Sequence, residues 1–166
     1  MRFFQQVDGL GEIIWKNYRF RKTDCFVVYT NTGVTKVALD IATFAKAEGM
    51  RVIAVTSLKH AAATGTEHGG GKRLHEIADL VIDNCSVVGD AMIEVPGSED
   101  KAGAGSSVTS IAITNALSTE AALELARRGV TPMILPSPYF EGTEEAKARR
   151  ARAERRWSEG IDEYSR

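Results

Sequence analysis

The segment CFVVYTNTGVT, residues 25–35, sets Thr30, Asn31, Thr32, Gly33 and Thr35 in one short turn after an apolar run. Hydroxyl oxygens, an amide and free backbone N–H groups at that density suit an oxyanion such as phosphate. The amides of a first helical turn lack intrahelical partners, and the helix dipole adds roughly 0.3–1 kcal/mol for a bound anion. The same residue types are ordinary helix caps. On the local pattern alone, anion grip and plain cap are equally good readings.

Three elements must hold this turn in place. Before it, Cys25, Phe26, Val27, Val28 and Tyr29 run without a polar interruption, which predicts a strand buried on both faces of a parallel sheet. After it, Val34, Val37, Ala38, Ile41 and Ala45 recur at helical spacing and Gly49 closes the pattern, which predicts a helix with one apolar face. Further strand patterns fall at residues 51–56 and 80–83, and a short amphipathic helix with Leu10, Ile13, Ile14 and Tyr18 at residues 8–19, ahead of Arg19, Arg21 and Lys22. Strands alternating with helices predict parallel β-α-β units, with Thr30, Thr56 and Asp83 at one shared carboxyl edge. A second long helix is predicted from Ser106 to about Arg128, stopped by Gly129. Its apolar residues Val108, Ile111, Ala112, Ile113, Ala116, Leu117, Ala121, Ala122 and Leu125 spread around much of the circumference, which predicts burial on more than one side. Residues 130–143 hold three of the four prolines and read as an extended connection. Residues 144–156 are dense in charge, with Glu145 and Arg149, and Arg150 and Glu154, four apart. That is the pattern of a solvated helix stitched by ion pairs rather than of a nucleic-acid patch.

Composition bounds the function. At 166 residues, 43% hydrophobic and 26% charged with net charge −1, the chain is sized for one globular domain and offers no bulk electrostatic attraction for nucleic acid. No apolar run is long enough to span a bilayer, and the first 22 residues lack the apolar core of a secretory signal. A cytoplasmic protein is expected. Its two cysteines, Cys25 and Cys85, make no disulfide framework and have no ligand-spaced neighbours for zinc. Neither a metal nor a cofactor is expected.

The 30–35 turn resembles the Ser-x-Ser-Gly-x-Thr phosphosugar loop of the SIS (sugar isomerase) domain family, with Thr30 and Thr32 in place of the serines. The resemblance continues in VIAVTS, residues 52–57, and in GSSVTS, residues 105–110, which is similar to the Ser/Thr-rich helix start across the sugar-phosphate pocket. It is closest to a bacterial subgroup of SIS proteins that carries the phosphoheptose isomerase description, whose pattern stands here as Lys59, His60, His68, Gly71, Lys72, Ala78, Asp79, Asp83, Asn84, Gly89 and Asp90. Asp40 stands where that subgroup has Glu, and reads as an outward-facing helix residue. The likeness covers roughly residues 8–142. It implies an α/β fold of three layers, α-β-α, with a flavodoxin-like parallel sheet. It divides the chain into a partial SIS domain, 1–143, and a charged helical tail, 144–166. Family members carry a long helix, two strands and a Gly/Ser turn ahead of this point, so a domain truncated at its N-terminus is expected, with the edge of the 25–29 strand uncovered. Either a partner subunit covers that edge, or the N-terminal segment folds over it, or the chain is a shortened product with impaired function; a dimer or larger is expected.

The implied ligand is a sugar phosphate and the implied reaction aldose–ketose isomerisation. That chemistry needs a phosphate anchor, a base for the transferred proton and a donor to polarise the carbonyl. Thr30, Thr32, Thr35, Ser57, Ser106 and Ser107 supply the anchor, with Asn31, Gly33 and Thr56 beside them. His68, in the run Glu67-His68-Gly69-Gly70-Gly71, is either the base on a loop that can close or an incidental histidine in a flexible loop. His60 either stabilises an oxyanion or forms an exposed basic pair with Lys59, and His75 reads as structural. Glu120 is either a buried acid with raised proton affinity or a solvent-facing residue beside Ser118 and Thr119. Asp90 is either a site carboxylate or a loop cap. Three functions compete: an isomerase or isomerase-like enzyme, a non-catalytic phosphosugar-binding regulatory module, and a truncated inactive relative. No helix-turn-helix pattern accompanies the second.

Overall fold

The structure is a computed structural model that describes residues 2–66, 71–137, 139 and 142–165. The elements are α1 (Arg2–Gln5), α2 (Leu10–Lys16), β1 (Cys25–Tyr29), α3 (Lys36–Ala47), β2 (Arg51–Thr56), α4 (Leu58–Ala63), α5 (Leu74–Ile77), β3 (Leu80–Asp83), β4 (Ala91–Glu94), β5 (Lys101–Ala104), α6 (Gly105–Arg127) and α7 (Glu144–Tyr164). The three predicted strands form one parallel sheet in the order β1-β2-β3, in register Phe26↔Val52, Val28↔Ala54 and Ala54↔Val81. This is the expected α/β fold built on a parallel sheet. By contacts the chain divides into one unit of residues 1–114 and a second of residues 115–166.

Side chains alternate along each strand, so the register sends Phe26, Val28, Val52, Ala54 and Val81 to one face. That face carries the core, in which Val28 and Val52 pack with Leu39, Ala42 and Ala45 of α3 and Leu74 of α5. An aromatic cluster extends it, with the Trp15 ring of α2 centred 4.5 Å from Phe20 and 5.4 Å from Phe26. The opposite face is open at its edges, where Val27 is 40% and Leu80 54% exposed. Burial on both faces therefore holds for the central strand β2 and fails for β1, an edge strand whose alternate residues Cys25, Val27 and Tyr29 are exposed. On this side the Tyr29 hydroxyl accepts from Thr114 Oγ1 at 2.8 Å.

Several expectations are corrected. The first amphipathic helix is only Leu10–Lys16, ended where Asn17 Nδ2 donates back to Ile13 O at 2.8 Å. Asp40 does not face outward. It is half-buried where α2 crosses α3 at Gly11, and a Cβ on Gly11 would clash with Asp40 Cβ at 2.4 Å. A hairpin of β4 and β5, antiparallel, was not foreseen. Its strands are four residues each, and Lys-Ala-Gly-Ala carries neither a β-branched nor an aromatic residue.

The breadth of apolar residues on α6 does not translate into burial within the chain, since Val108 is 70% and Ile111 64% exposed. In the second unit, Thr143 Oγ1 caps α7 by accepting from Ala146 N at 3.2 Å, and the expected Arg150–Glu154 pair forms at 2.7 Å.

Gly11→Ala should lower stability by about 1–3 kcal/mol, the usual cost of forcing a methyl into a filled contact. Thermal unfolding checks it. A melting temperature equal to wild type would mean that α2 and α3 part without cost.

Candidate functional site

The 30–35 turn lies at the carboxyl end of β1, as the parallel sheet requires. Thr30 N donates to Val55 O at 3.1 Å, which carries the strand pairing one residue into the turn. Gly33 then takes φ +69°, a left-handed conformation that L side chains rarely adopt, and its carbonyl accepts from Leu74 N at 2.9 Å. Thr30 and Thr35 share a hydrogen bond between their hydroxyls at 2.9 Å. Thr35 is the N-cap residue of α3, yet its side chain makes no capping bond. The plain-cap reading is thus unmet at Thr35. Lys36 opens the first turn of α3 and pairs with Asp8 at 3.0 Å. A cavity of about 460 Å³ adjoins the turn, lined by Thr32, Val34 and Thr35 with Gln5, Gln6 and Thr64.

A chain of hydrogen bonds runs from this turn to the start of α6. Asn31 Nδ2 pairs with His60 Nδ1 at 3.1 Å, and Asn84 Nδ2 donates to Asn31 Oδ1 at 3.1 Å. Ser86 N donates to Asn84 Oδ1 at 3.0 Å, and Ser86 Oγ donates to Asp90 Oδ1 at 2.7 Å. Asp90 then accepts from Ser106 N at 2.8 Å and from Ser106 Oγ at 2.8 Å. Three loops, following β1, β2 and β3, are joined through side chains, and Asn84 and Ser86 are buried within them.

The Asp90 carboxylate accepts from the first turn of α6 and from Ser86, and is an electrostatic partner there. Partial burial works to raise its proton affinity, but the hydrogen bonds from Ser86 and Ser106, together with the charge of His60, outweigh it and hold the carboxyl below its ordinary value of 3.8. Its backbone sits at φ +67°, one of two left-handed non-glycine residues among those described; the other is Cys85.

The sequence-derived residues separate into groups. Thr30, Asn31, Thr32, Gly33 and Thr35 form the turn and its cavity wall, and His60 and Ser106 join the hydrogen-bonded chain. Thr56 and Ser57 are fully buried and committed internally: Thr56 Oγ1 donates to Asn31 O at 3.3 Å, and Ser57 Oγ donates to Ser86 O at 2.6 Å while capping α4 at His60 N. Their hydroxyls brace the loops. Ser107 is exposed. Glu120 is not buried: its side chain is 70% exposed, 3.9 Å from Arg127, in the second unit. The burial on which its acid–base reading rested is missing. His68 lies outside the described residues. Sequence reasoning missed Ser86, which carries no local signal, and Lys36, hidden as one more surface charge. Among the described residues, no group of three or more His, Cys, Asp or Glu is placed to hold a metal, and no helix is long and apolar enough to cross a membrane.

The Asp90 shift has a pH consequence. A carboxyl whose folded pKa is depressed contributes stability that is fully present above its unfolded value and lost as pH falls through the folded value. Asp90→Asn should therefore melt lower than wild type near neutrality, and the gap should close as pH drops below the ordinary value of 3.8. Melting temperatures of both proteins across the acid range check this. A gap that stays constant with pH would mean that the charge on Asp90 does not hold the loop.

Residues 1–57 match the SIS domain, a stretch that contains β1, the threonine turn, α3 and β2. The chain is similar to UPF0309 protein GK1441 of Geobacillus kaustophilus, 33% identical over 159 residues, 96% of this chain and 61% of the relative. It is 36% identical over 143 residues to a UPF0309 protein of Geobacillus thermodenitrificans, 86% of this chain and 55% of the relative. To UPF0309 protein lmo0025 of Listeria monocytogenes it is 29% identical over 140 residues, 84% of this chain and 60% of the relative. The chain thus spans about 60% of the length of the curated relatives it matches. The chain is thus matched to the SIS domain in its threonine turn and first two strands, and is similar to UPF0309 proteins over most of its own length.

Proposed function

We propose that this chain binds a sugar phosphate at the 30–35 turn and that the chemistry of the site is aldose–ketose isomerisation. One observation carries the proposal: a hydroxyl-lined turn at an α3 N-terminus without a side-chain cap opens on a cavity of about 460 Å³, inside the range of small-ligand sites. Phosphate is the anion that such a turn grips through amides and hydroxyls, with Lys36 beside it. The Gln5 and Gln6 side chains across the cavity offer amide donors and acceptors, which match sugar hydroxyls.

For isomerisation, His60 is the proposed donor to the sugar carbonyl, held beside the turn by Asn31. His68 is the proposed base, on its sequence position alone. Asp90 suits that role poorly, because both of its oxygens already accept hydrogen bonds and its carboxyl is held ionised. This commitment of Asp90, with the exposure of Glu120, favours the second reading, a binding module without turnover. In either case a second copy of the chain is the proposed cover for the apolar residues Val27, Val108 and Ile111. Light scattering at micromolar concentration should then give at least a dimer mass, and a stable monomer would count against it.

The test of the anchor is titration of wild type and Thr32→Val with a hexose 6-phosphate and with the unphosphorylated hexose. Wild type should prefer the phosphate, and Thr32→Val should weaken it about tenfold, the worth of one hydrogen bond. Equal affinity in a folded variant would overturn the assignment. Incubating wild type with the sugar phosphate in deuterated water separates the two readings. Deuterium at the carbon next to the carbonyl reports an enediol; binding without exchange leaves the module.

A further inference from the structure

The chain of amides behind His60 has only one consistent set of donors and acceptors. It begins at a backbone group with no choice: Ser86 N–H can only donate, and it donates to one end of the Asn84 side chain at 3.0 Å. That end is the oxygen, so the other end, turned toward Asn31, is the NH2 group. It donates at 3.1 Å to Asn31, whose near atom is therefore also the oxygen. The far end of Asn31 is then an NH2 group, 3.1 Å from His60 Nδ1. An NH2 donor facing a ring nitrogen requires a lone pair there, which leaves the proton on Nε2.

We infer that Asn31 and Asn84 are positioning residues that lock His60 in the Nε2–H tautomer, so that the ring offers a ligand oxygen a donor and never an acceptor at that nitrogen. The purpose of the lock rests on the phosphosugar reading: a sugar carbonyl oxygen only accepts, so a ring fixed as a donor polarises it. The lock itself rests on the hydrogen-bond geometry alone. Asn84 is 4% exposed, so water does not compete readily for its amide. His60 N donates to Ser57 Oγ at 3.1 Å, which fixes the backbone from which the ring projects.

The test is the tautomer read from nitrogen-15 shifts and long-range proton–nitrogen correlations of the full chain, in mildly alkaline buffer, with the His60 signals assigned by their loss in His60→Gln. Wild type should show a single Nε2–H ring; a mixture, or Nδ1–H, overturns the inference. An unconstrained imidazole in water already leans toward Nε2–H, so the variants carry more weight. Asn84→Asp keeps the acceptor for Ser86 N but removes the donor to Asn31. The Asn31 amide then turns to donate to the new carboxylate and presents its oxygen to His60, which must protonate at Nδ1. Asn31→Asp reaches the same end directly, and serves if the buried Asn84 variant does not fold. Nδ1 carrying a proton in either folded variant supports the lock, and Nε2–H retained in a folded variant overturns it. Failure of the phosphosugar reading registers separately, as absent binding of the hexose 6-phosphate, and leaves the ring spectrum as it is.

Discussion

Asn84 stands where the loops after three parallel strands meet, and its side-chain amide bonds to two of them at once. Its oxygen takes the Ser86 amide within its own loop, and its nitrogen reaches Asn31 across the sheet edge. A buried amide left unpaired costs about 1–3 kcal/mol, while each satisfied bond contributes only about 0.5–1.5 kcal/mol. The asymmetry makes the junction cooperative, because no one loop can move without orphaning a buried group in another. Thr56 and Ser57 act in the same way. They look like ligand hydroxyls in sequence, yet they are fully buried and hold Asn31 and Ser86 by the backbone. The 30–35 turn can be rigid because the residues behind it are fully committed.

That rigidity is one-sided. The core packs beneath the Phe26–Val28–Val52–Ala54 face, where α2, α3 and α5 all contribute, while the other face leaves Val27 and Leu80 half-exposed. Val108 and Ile111 of α6 are exposed apolar residues as well, and a surface of that chemistry is suited to association. The 30–35 turn sits at the end of β1, the edge strand of the sheet. Anything that pairs with or covers β1 would therefore stiffen the strand that presents the turn. Binding and association would draw on the same element.

How much of this could be read from residue order depends on the range of the interaction. Strands β1, β2 and β3 were legible because a short apolar run that stops at Thr30, Thr56 or Asp83 and leads into a helical or loop pattern fits little besides a strand, and the parallel order followed from the helices between them. The threonine turn was legible because Gly33 and its hydroxyl neighbours lie within six residues. What failed was non-local. The exposure of Val27 depends on what packs on the second face, and the position of Asp40 on a glycine 29 residues away. The hairpin carried too little β propensity to register. Ser86 acquires its role only from partners at Ser57, Asn84 and Asp90. Glu120 showed the converse, since an apolar neighbourhood in sequence proved to be an exposed side of α6.

The loop between β3 and β4 holds two backbone conformations that its residues resist, at Cys85 and Asp90. A left-handed non-glycine residue costs on the order of 1–3 kcal/mol, with Asp at the tolerant end. Against this, the Asp90 carboxylate accepts three hydrogen bonds, from Ser86 Oγ, Ser106 N and Ser106 Oγ. Bonds to a charged acceptor contribute roughly 1.5–3 kcal/mol each, less where water reaches them. Even discounted for partial exposure, three such bonds exceed the cost of the conformation. The side chain, not the backbone preference, therefore decides the path of this loop. Because the same carboxylate caps α6 and anchors Ser86, the strained residue sets both where α6 begins and how Asn84 is held behind His60. Strain that is outweighed at one residue in this way serves geometry elsewhere. Here the geometry it serves is the orientation of an imidazole four hydrogen-bonded links away, through Ser86, Asn84 and Asn31.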